Sequence, residues 1–354
     1  PVLARPGKVK VVLGEAVAVD VAQKRVKLDN GSALAYDHLV VATGATHSYF
    51  GHPEWEQYAP GLKTIDDALE IRRRVLIAFE AAEQAEDPAE QNALLTFVII
   101  GAGPTGVELA GPLSEIARKR MIRDFRRIRP ESARVILLEG RERVLPPYPP
   151  DLSEKARKQL VDLGVEVITG AVVTDINDRE VRFGEQTIAT RTVLWGAGVQ
   201  ASPLARSLGA PLDRAGRVLV EPDLTIPGHP DVFVIGDLAA KLQHDGSFVP
   251  GVAPAAIQEG QHTAMNLERA VEGQPLRALK FRDKGSLATI GRAPAVADFG
   301  RVKFGGFLAW MAWLVIHIFF LIGFRNRFLV ITQWAWAYLT YQRGAPLITG
   351  TRRE

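Results

Sequence analysis

Residues 94–111 read LLTFVIIGAGPTGVELAG, and this stretch decides the fold. Its first seven residues form an apolar run interrupted only by Thr96, as expected of a parallel strand covered on both faces. Three glycines follow at GxGxxG spacing, Gly101, Gly103 and Gly106, and a helical segment opens behind them. The pattern is weak on its own, but between a strand and a helix it has a physical meaning. Gly101 permits the tight turn, Gly103 lets the backbone come close to a pyrophosphate, and Gly106 lets the helix pack on the strand. With Thr105 in the same turn, the pyrophosphate would rest on N–H groups at the positive end of the helix dipole.

A confirming acid belongs at the end of the next strand, and Glu139 stands there in VILLEG (135–140). Such a carboxylate hydrogen-bonds ribose hydroxyls and repels a 2′-phosphate, favouring NAD; Gly140 and Arg141 leave NADP open. The acid lies at nearly twice the usual spacing of about 20 residues, and a helix continuing to about residue 127 accounts for the excess. A tight turn without a ligand is the plain alternative. Within that extension, residues 118–129 (RKRMIRDFRRIR) hold seven Arg or Lys in twelve positions. They read as a solvated helix face first and as an anionic-lipid contact second.

Farther out, short strands are expected at 9–13, 24–29 and 38–44, with a helix from 65 to about 86. Asp66 and Asp67 suit the start of that helix, where its dipole favours acids. Beyond the glycine motif the pattern predicts a helix at 152–163, a strand at 165–169 and a hairpin at 172–183. A strand at 192–195, another at 232–235 and a helix at 255–271 complete it. Two strands end in small residues, ATGA (42–45) and WGAG (195–198), and a third ends in VFVIGD (232–237).

The 354 residues are enough for two or three domains and a sizeable core. With 47% apolar residues the chain is neither disordered nor collagen-like. It has no cysteine, so it holds no disulfide, thiolate metal site or redox dithiol. No Ser/His/Asp or metal constellation stands out. The net charge of +3 hides a division: residues 299–353 contain seven basic residues and no acidic one. The remainder, with 36 basic and 40 acidic residues, carries −4. A basic tail of this kind points to nucleic acid or a membrane surface, and its hydrophobicity favours the membrane.

Residues 304–324 (FGGFLAWMAWLVIHIFFLIGF) are 21 in number and carry no formal charge, long enough to span a bilayer. A second apolar run, 328–341, is shorter. Four of the six Trp, with Tyr338 and Tyr341, fall in these two runs, as suits the headgroup level. Basic residues flank the long run on both sides, Arg301 and Lys303 before it, Arg325 and Arg327 after it. That symmetry favours a hairpin lying in one interface over a true span. A buried helix or a homodimer contact stays open, and His317 reads as packing.

The order ATG, GxGxxGxE, strand-end Glu, GAG and IGD resembles the two-dinucleotide-binding-domain flavoproteins, in which an NAD domain is inserted into an FAD domain. More narrowly, GAGPTGVELAG (101–111), PGVAPAAIQEGQH (250–262), RDKGSLATIGR (282–292) and the tail WAYLTYQRGAPLITG (336–350) resemble type II NADH:quinone oxidoreductases. The resemblance covers essentially the whole chain. It implies an α/β fold of two Rossmann-like dinucleotide-binding domains with a C-terminal membrane-associated helical segment. The implied boundaries are 1–64 and 201–275 for the FAD domain, 65–200 for the NAD(H) domain and 276–354 for the C-terminal domain.

Residue roles follow from the same resemblance. Asp237 binds the ribityl or phosphate side of the flavin, with Gly236 allowing close approach, and Thr43 and Gly44 run along the FAD. Glu108 points to the nicotinamide end and assists proton movement, and Gly198 belongs to the cofactor-binding residues. Gln258 sits at the quinone pocket beside the flavin, Ala255 and Ala256 pack on the flavin, and Lys284 belongs to the same neighbourhood. Pro254 replaces a Gln that relatives often carry. The implied activity is non-pumping transfer of two electrons from NADH through FAD to a lipid quinone. The implied setting is the cytoplasmic side of the inner membrane, with anionic lipid as partner and no nucleic acid.

Only one GxGxxG occurs here, so the resemblance also implies an N-terminally truncated chain that binds FAD poorly or not at all. Two rival readings stand beside it: a soluble-acceptor reductase of the ferredoxin type, and a membrane-tethered NAD-binding regulator without turnover.

Overall fold

The computed structural model describes residues 7–122, 124–320, 324–340 and 348. The chain divides into two compact units, Pro1–His47 with Val199–Lys284, and Ser48–Gly198 with Gly285–Glu354. The first unit is thus interrupted in sequence by most of the second. Residues from Gly285 onward belong to the second unit.

At the centre of the second unit is a parallel four-stranded sheet. Its strands are, in spatial order, Thr192–Trp195, Thr96–Ile100, Arg134–Glu139 and Val165–Thr169. Every residue of Thr96–Ile100 is buried, as the apolar run requires. Alternate side chains serve two cores. Phe97, Ile99, Val135, Leu137 and Leu194 pack with residues of the helices Ile65–Gln84, Pro104–Glu115 and Pro150–Asp162. Val98, Ile100, Ile136, Leu138, Val193 and Trp195 face the other way, against Ile176, Val181 and Phe183 of an antiparallel meander. The helix Ile65–Gln84 starts in a capping box, Thr64 receiving the Asp67 N–H while Asp67 receives that of Thr64.

The expected long helix stops early. It is α-helical over Pro104–Glu115, widens into a π turn at Ile116–Arg120 and then ends. Pro112 removes one N–H from its interior. The Glu83 carboxylate then accepts the N–H groups of Arg126, Arg127 and Ile128, each at 3.0 Å, which holds residues 126–128 in a loop instead of a helix. Gly111 lies so close to the C-terminal segment that a Cβ there would come 1.4 Å from the Ile290 carbonyl oxygen.

That segment forms an antiparallel sheet, Ser286–Thr289, Ala295–Asp298 and Lys303–Gly305, which sequence reading missed. The apolar run begins as the last of these strands and becomes helical at Phe307–Phe320, followed by a helix at Phe324–Thr340. Among the described residues, no helix is long and apolar enough to cross a membrane. Residues 321–323, Tyr341, Arg343, Arg352 and Arg353 lie outside the described residues.

In the first unit, Leu39–Val41 runs parallel to His229–Val234, with Thr225–Ile226 on the far side of the latter. Val41, Val232, Val234, Leu238 and Ala239 form its main core with Leu204 and Leu208. A helix spans Ala253–Val271. Residues 9–13, read above as a strand, are exposed and lie outside any strand.

Candidate functional site: two strand-end glycine turns

The glycine turn of the second unit has the shape its spacing predicts. Gly101 takes a φ of +94°, and a Cβ there would fall 2.4 Å from the Ala197 Cα, so the 196–198 loop packs directly on the turn. A Cβ on Gly106 would fall 1.8 Å from the Gly101 carbonyl oxygen, which brings the helix hard against the strand. Above Gly103 nothing lies within 4 Å of a hypothetical Cβ. Gly103 is the helix N-cap, no side chain caps it, and Pro104 at N1 has no N–H to satisfy. An uncapped helix start with open space above Gly103 suits an anion.

Glu139 sits at the end of the adjacent strand and is buried. Its carboxylate accepts the Ala102 N–H at 2.7 Å and the Arg141 N–H at 2.9 Å. It thus braces the glycine turn itself. Each oxygen has a further lone pair with which it can receive a ribose hydroxyl.

Glu108 lies two residues past Gly106. One of its oxygens accepts from the Thr289 N–H at 3.4 Å and the Thr289 hydroxyl at 3.5 Å, both long contacts. Burial pushes its carboxyl above the usual range, and these two bonds offset that only in part. Buried Tyr148 feels the negative charge of Glu108 and hydrogen-bonds Ser286, and burial pushes its phenol up as well.

In the first unit, the ATGA and IGD segments lie side by side. Val41 pairs with Val234, and the Ile235 N–H donates to the Val41 carbonyl at 3.1 Å. Thr43 and Gly44 therefore leave one strand end where Gly236 and Asp237 leave its neighbour. Gly44 and Gly236 have φ of +65° and +72°. A Cβ on Gly236 would meet the Ala256 Cβ at 3.7 Å, and one on Gly251 would approach the Asp237 carboxylate to 3.3 Å. Ala255 is buried on the first turn of the Ala253–Val271 helix, whose N-cap, Val252, makes no side-chain bond.

Gln258 is bonded to the backbone of two segments. Its amide oxygen accepts the Arg282 N–H at 3.0 Å, and its NH2 donates to the carbonyls of Arg282, at 3.0 Å, and Pro254, at 3.1 Å. It fastens the segment that leads to Lys284, which is exposed.

Sequence reading missed Glu259 and Lys241. Glu259 is buried and accepts the Gly236 N–H at 2.6 Å. Burial raises its pKa to about 7, while this bond and the nearby Lys241 pull it back. Lys241 is also buried, donates to the Leu242 carbonyl at 3.1 Å, and has its pKa lowered by burial. The legible signal was a lone acid among small and apolar residues on one face of a helix, beside Gln258.

The structure thus gathers Gly101, Gly103, Thr105, Gly106, Glu108, Glu139 and Gly198 in one unit. It gathers Thr43, Gly44, Gly236, Asp237, Ala255, Ala256, Gln258 and Lys284 in the other. Among the described residues, no group of His, Asp and Glu is arranged to hold a metal ion.

Residues 2–260 match the pyridine nucleotide-disulphide oxidoreductase family, and residues 284–341 match the NDH2 C-terminal domain. The chain is 44% identical to the type II NADH:quinone oxidoreductase NdhA of Mycobacterium tuberculosis, over 98% of this chain and 77% of that protein. It is 32% identical to an Arabidopsis thaliana internal alternative NAD(P)H-ubiquinone oxidoreductase, over 85% of this chain and 62% of that one. The solved structure of Plasmodium falciparum NDH2 in complex with NADH superposes with a TM-score of 0.85 at 18% identity, covering 94% of this chain and 84% of its own. A ferredoxin reductase from Rhodopseudomonas palustris shares the fold at a TM-score of 0.60 and 20% identity, over 85% of this chain and 67% of its own. With its α/β pyridine nucleotide-disulphide oxidoreductase fold, its NDH2 C-terminal domain and relatives at 44% identity along nearly its whole length, the chain belongs to the type II NADH:quinone oxidoreductase family.

Proposed function

We propose that this protein transfers two electrons from NADH to a quinone with FAD as the intermediary, and without pumping protons. The observation that carries the reading is the open, uncapped glycine turn above Gly103 with Glu139 beside it. The first unit would serve FAD and the second NADH. Bound FAD would supply the redox chemistry, accepting hydride from NADH and giving two electrons to the quinone.

The chain's own residues bind and orient. The uncapped helix start at Gly103 receives the NADH pyrophosphate, and Glu139 receives the adenosine ribose. Glu108, whose carboxyl burial pushes above its usual range, is placed to pass a proton near the nicotinamide end. Around FAD, the paired ATGA and IGD ends fit a flavin nucleotide. Gly44 and Gly236 keep the backbone low, Asp237 offers a carboxylate to a ribityl hydroxyl, and Ala255 and Ala256 leave room for a ring system. Gln258 orders the segment from Pro254 to Lys284 and so shapes the quinone side.

The C-terminal helices are the membrane contact in this reading. On Phe307–Phe320 the side chains of Phe307, Leu308, Met311, Val315 and Phe319 are exposed along one stripe. On the next helix Phe328, Leu329, Ile331, Trp334 and Trp336 are exposed too. Ala309 is buried against the C-terminal sheet, so the first helix is fixed on one side and bare on the other. A bare aromatic-rich face beside arginines fits the headgroup layer of the inner membrane's cytoplasmic leaflet, in a monotopic setting.

The test supplies the purified chain with FAD, NADH and a short-chain quinone, and follows NADH absorbance. Quinone-dependent NADH oxidation is expected. Oxidation with a soluble ferredoxin but not with quinone would favour the soluble-acceptor reading. Tight NADH binding with neither turnover would overturn the enzymatic reading of this chain.

A further inference from the structure

Phe50 combines three features that packing does not require. It has a φ of +52°, in the left-handed region, where a bulky side chain is a genuine outlier. It is 67% exposed. Its ring also lies across Gly198, so closely that a Cβ there would fall 2.7 Å from the Phe50 Cζ. Backbone strain of this sort clusters where ligands are held.

The neighbours explain how the conformation is kept. The Ser48 N–H donates to the Gly198 carbonyl at 3.1 Å, and the Trp195 indole N–H donates to the Ser48 carbonyl at 3.0 Å. Tyr49, buried, sets its ring 4.8 Å from Trp195 and donates its hydroxyl to the Ala59 carbonyl at 2.9 Å. Tyr49 and Trp195 are the anchors. Phe50, with its ring centroid 6.1 Å from that of Trp195, is left standing at the surface beside the anchored pair.

The sheet order says which half of a dinucleotide would meet it. The strand Thr96–Ile100, carrying the glycine turn, lies between Arg134–Glu139 and Thr192–Trp195. Glu139 closes the strand on one side, and Gly196–Gly198 follow the strand on the other. A dinucleotide centred on the turn with its adenosine ribose on Glu139 sends its other half toward Ala197, Gly198 and Phe50. Ala197 already touches the turn, as the Cβ construction at Gly101 shows.

We propose that the Phe50 ring is the contact surface for the nicotinamide riboside half of NADH, seated on Gly198 to lie against the nucleotide. This rests on the reading of the second unit as the NADH site. Phe50 acts as a positioning residue, since an aromatic face favours one placement of the nicotinamide ring and does no chemistry itself.

The test is equilibrium binding to the full chain, with no flavin needed, followed by calorimetry with NADH and, separately, with ADP-ribose, which lacks nicotinamide. The variants are Phe50→Gly, which removes the ring and relieves the positive φ, and Phe50→Tyr, which keeps the ring. Phe50→Gly is expected to weaken NADH roughly fivefold to tenfold, the worth of one aromatic contact, with ADP-ribose changed less than twofold. Phe50→Tyr is expected to restore wild-type NADH binding. The thermal midpoint of Phe50→Gly should be no lower than that of the wild type, because glycine tolerates this backbone. Unchanged NADH binding in Phe50→Gly, or equal losses for both ligands, overturns the inference while leaving the NADH reading intact. A wild-type chain that binds neither ligand overturns both.

Discussion

Glu259 makes a quantitative test of the first unit. Its carboxyl has an ordinary pKa of 4.5, and burial raises this to about 7 in the folded chain. The charged groups that face it are Lys241, from the strand Ala239–Lys241, and Asp237, from the glycine turn. Between pH 4.5 and 7 the folded state keeps a proton that the unfolded state has released. The unfolded state therefore binds fewer protons, and stability falls as pH rises through this window. The whole window is worth about 3 kcal/mol, at about 1.36 kcal/mol for each pKa unit. Glu259→Gln keeps an oxygen to accept the Gly236 N–H and removes the titration. The variant should match wild type near pH 4.5 and exceed it by about 3 kcal/mol near pH 8. All six tryptophans fall in the sequence of the second unit, so indole fluorescence does not follow this event. Urea unfolding by far-UV circular dichroism, with hydrogen exchange at the Gly236 amide, follows it instead. A stability difference between the two proteins that does not change from pH 4.5 to 8 would refute the reasoning. Lys241→Met, which removes the attraction that lowers the Glu259 pKa, should move the titration to higher pH.

Three other substitutions probe the second unit. Gly111→Ala forces a methyl into the Ile290 carbonyl and should lower the fluorescence-detected Tm by roughly 5 °C or more; an unchanged Tm would mean the C-terminal sheet does not press on the helix. Glu139→Gln exchanges a carboxylate oxygen for an NH2 group that cannot accept from the turn. It should weaken NADH about tenfold and narrow the preference over NADPH, as calorimetric titration with both would show. A full preference retained by the variant would remove Glu139 from the nucleotide site. Val315→Glu combined with Phe319→Glu places two acids on the bare stripe and should cut sedimentation with anionic vesicles at least tenfold. Undiminished sedimentation would mean that the stripe does not meet lipid.

What could be read from the sequence depended on whether a residue's role was local. The strand, turn and helix of residues 94–111 announce themselves because each glycine answers a constraint set within a few residues. The end of that helix was not legible. It depends on Glu83, more than forty positions away, receiving three amides from 126–128 in place of a continuing helix. The C-terminal sheet was hidden for a related reason. Its strands are three or four residues long, and the last ends inside an apolar run that reads as one continuous helix. Glu139 was found by position, yet its bond to Ala102 ties the ends of two adjacent strands, and only tertiary pairing shows it.

Glu259 and Phe50 carry the lesson furthest. Glu259 stands beside Gln258, which the family resemblance singled out, but its partner is Gly236, 23 residues earlier. Phe50 looks like an ordinary loop aromatic until its positive φ and the bare Gly198 beneath it are seen together. In both units a glycine and the side chain set against it are specified by different stretches of sequence, and neither stretch has a reason for its residue alone. Glycine motifs therefore mark where a nucleotide can approach, while the residues that hold or cover them come from elsewhere in the chain. Substituting Glu259 and Phe50, as opposed to the glycines themselves, tests the sites without destroying the turns that form them.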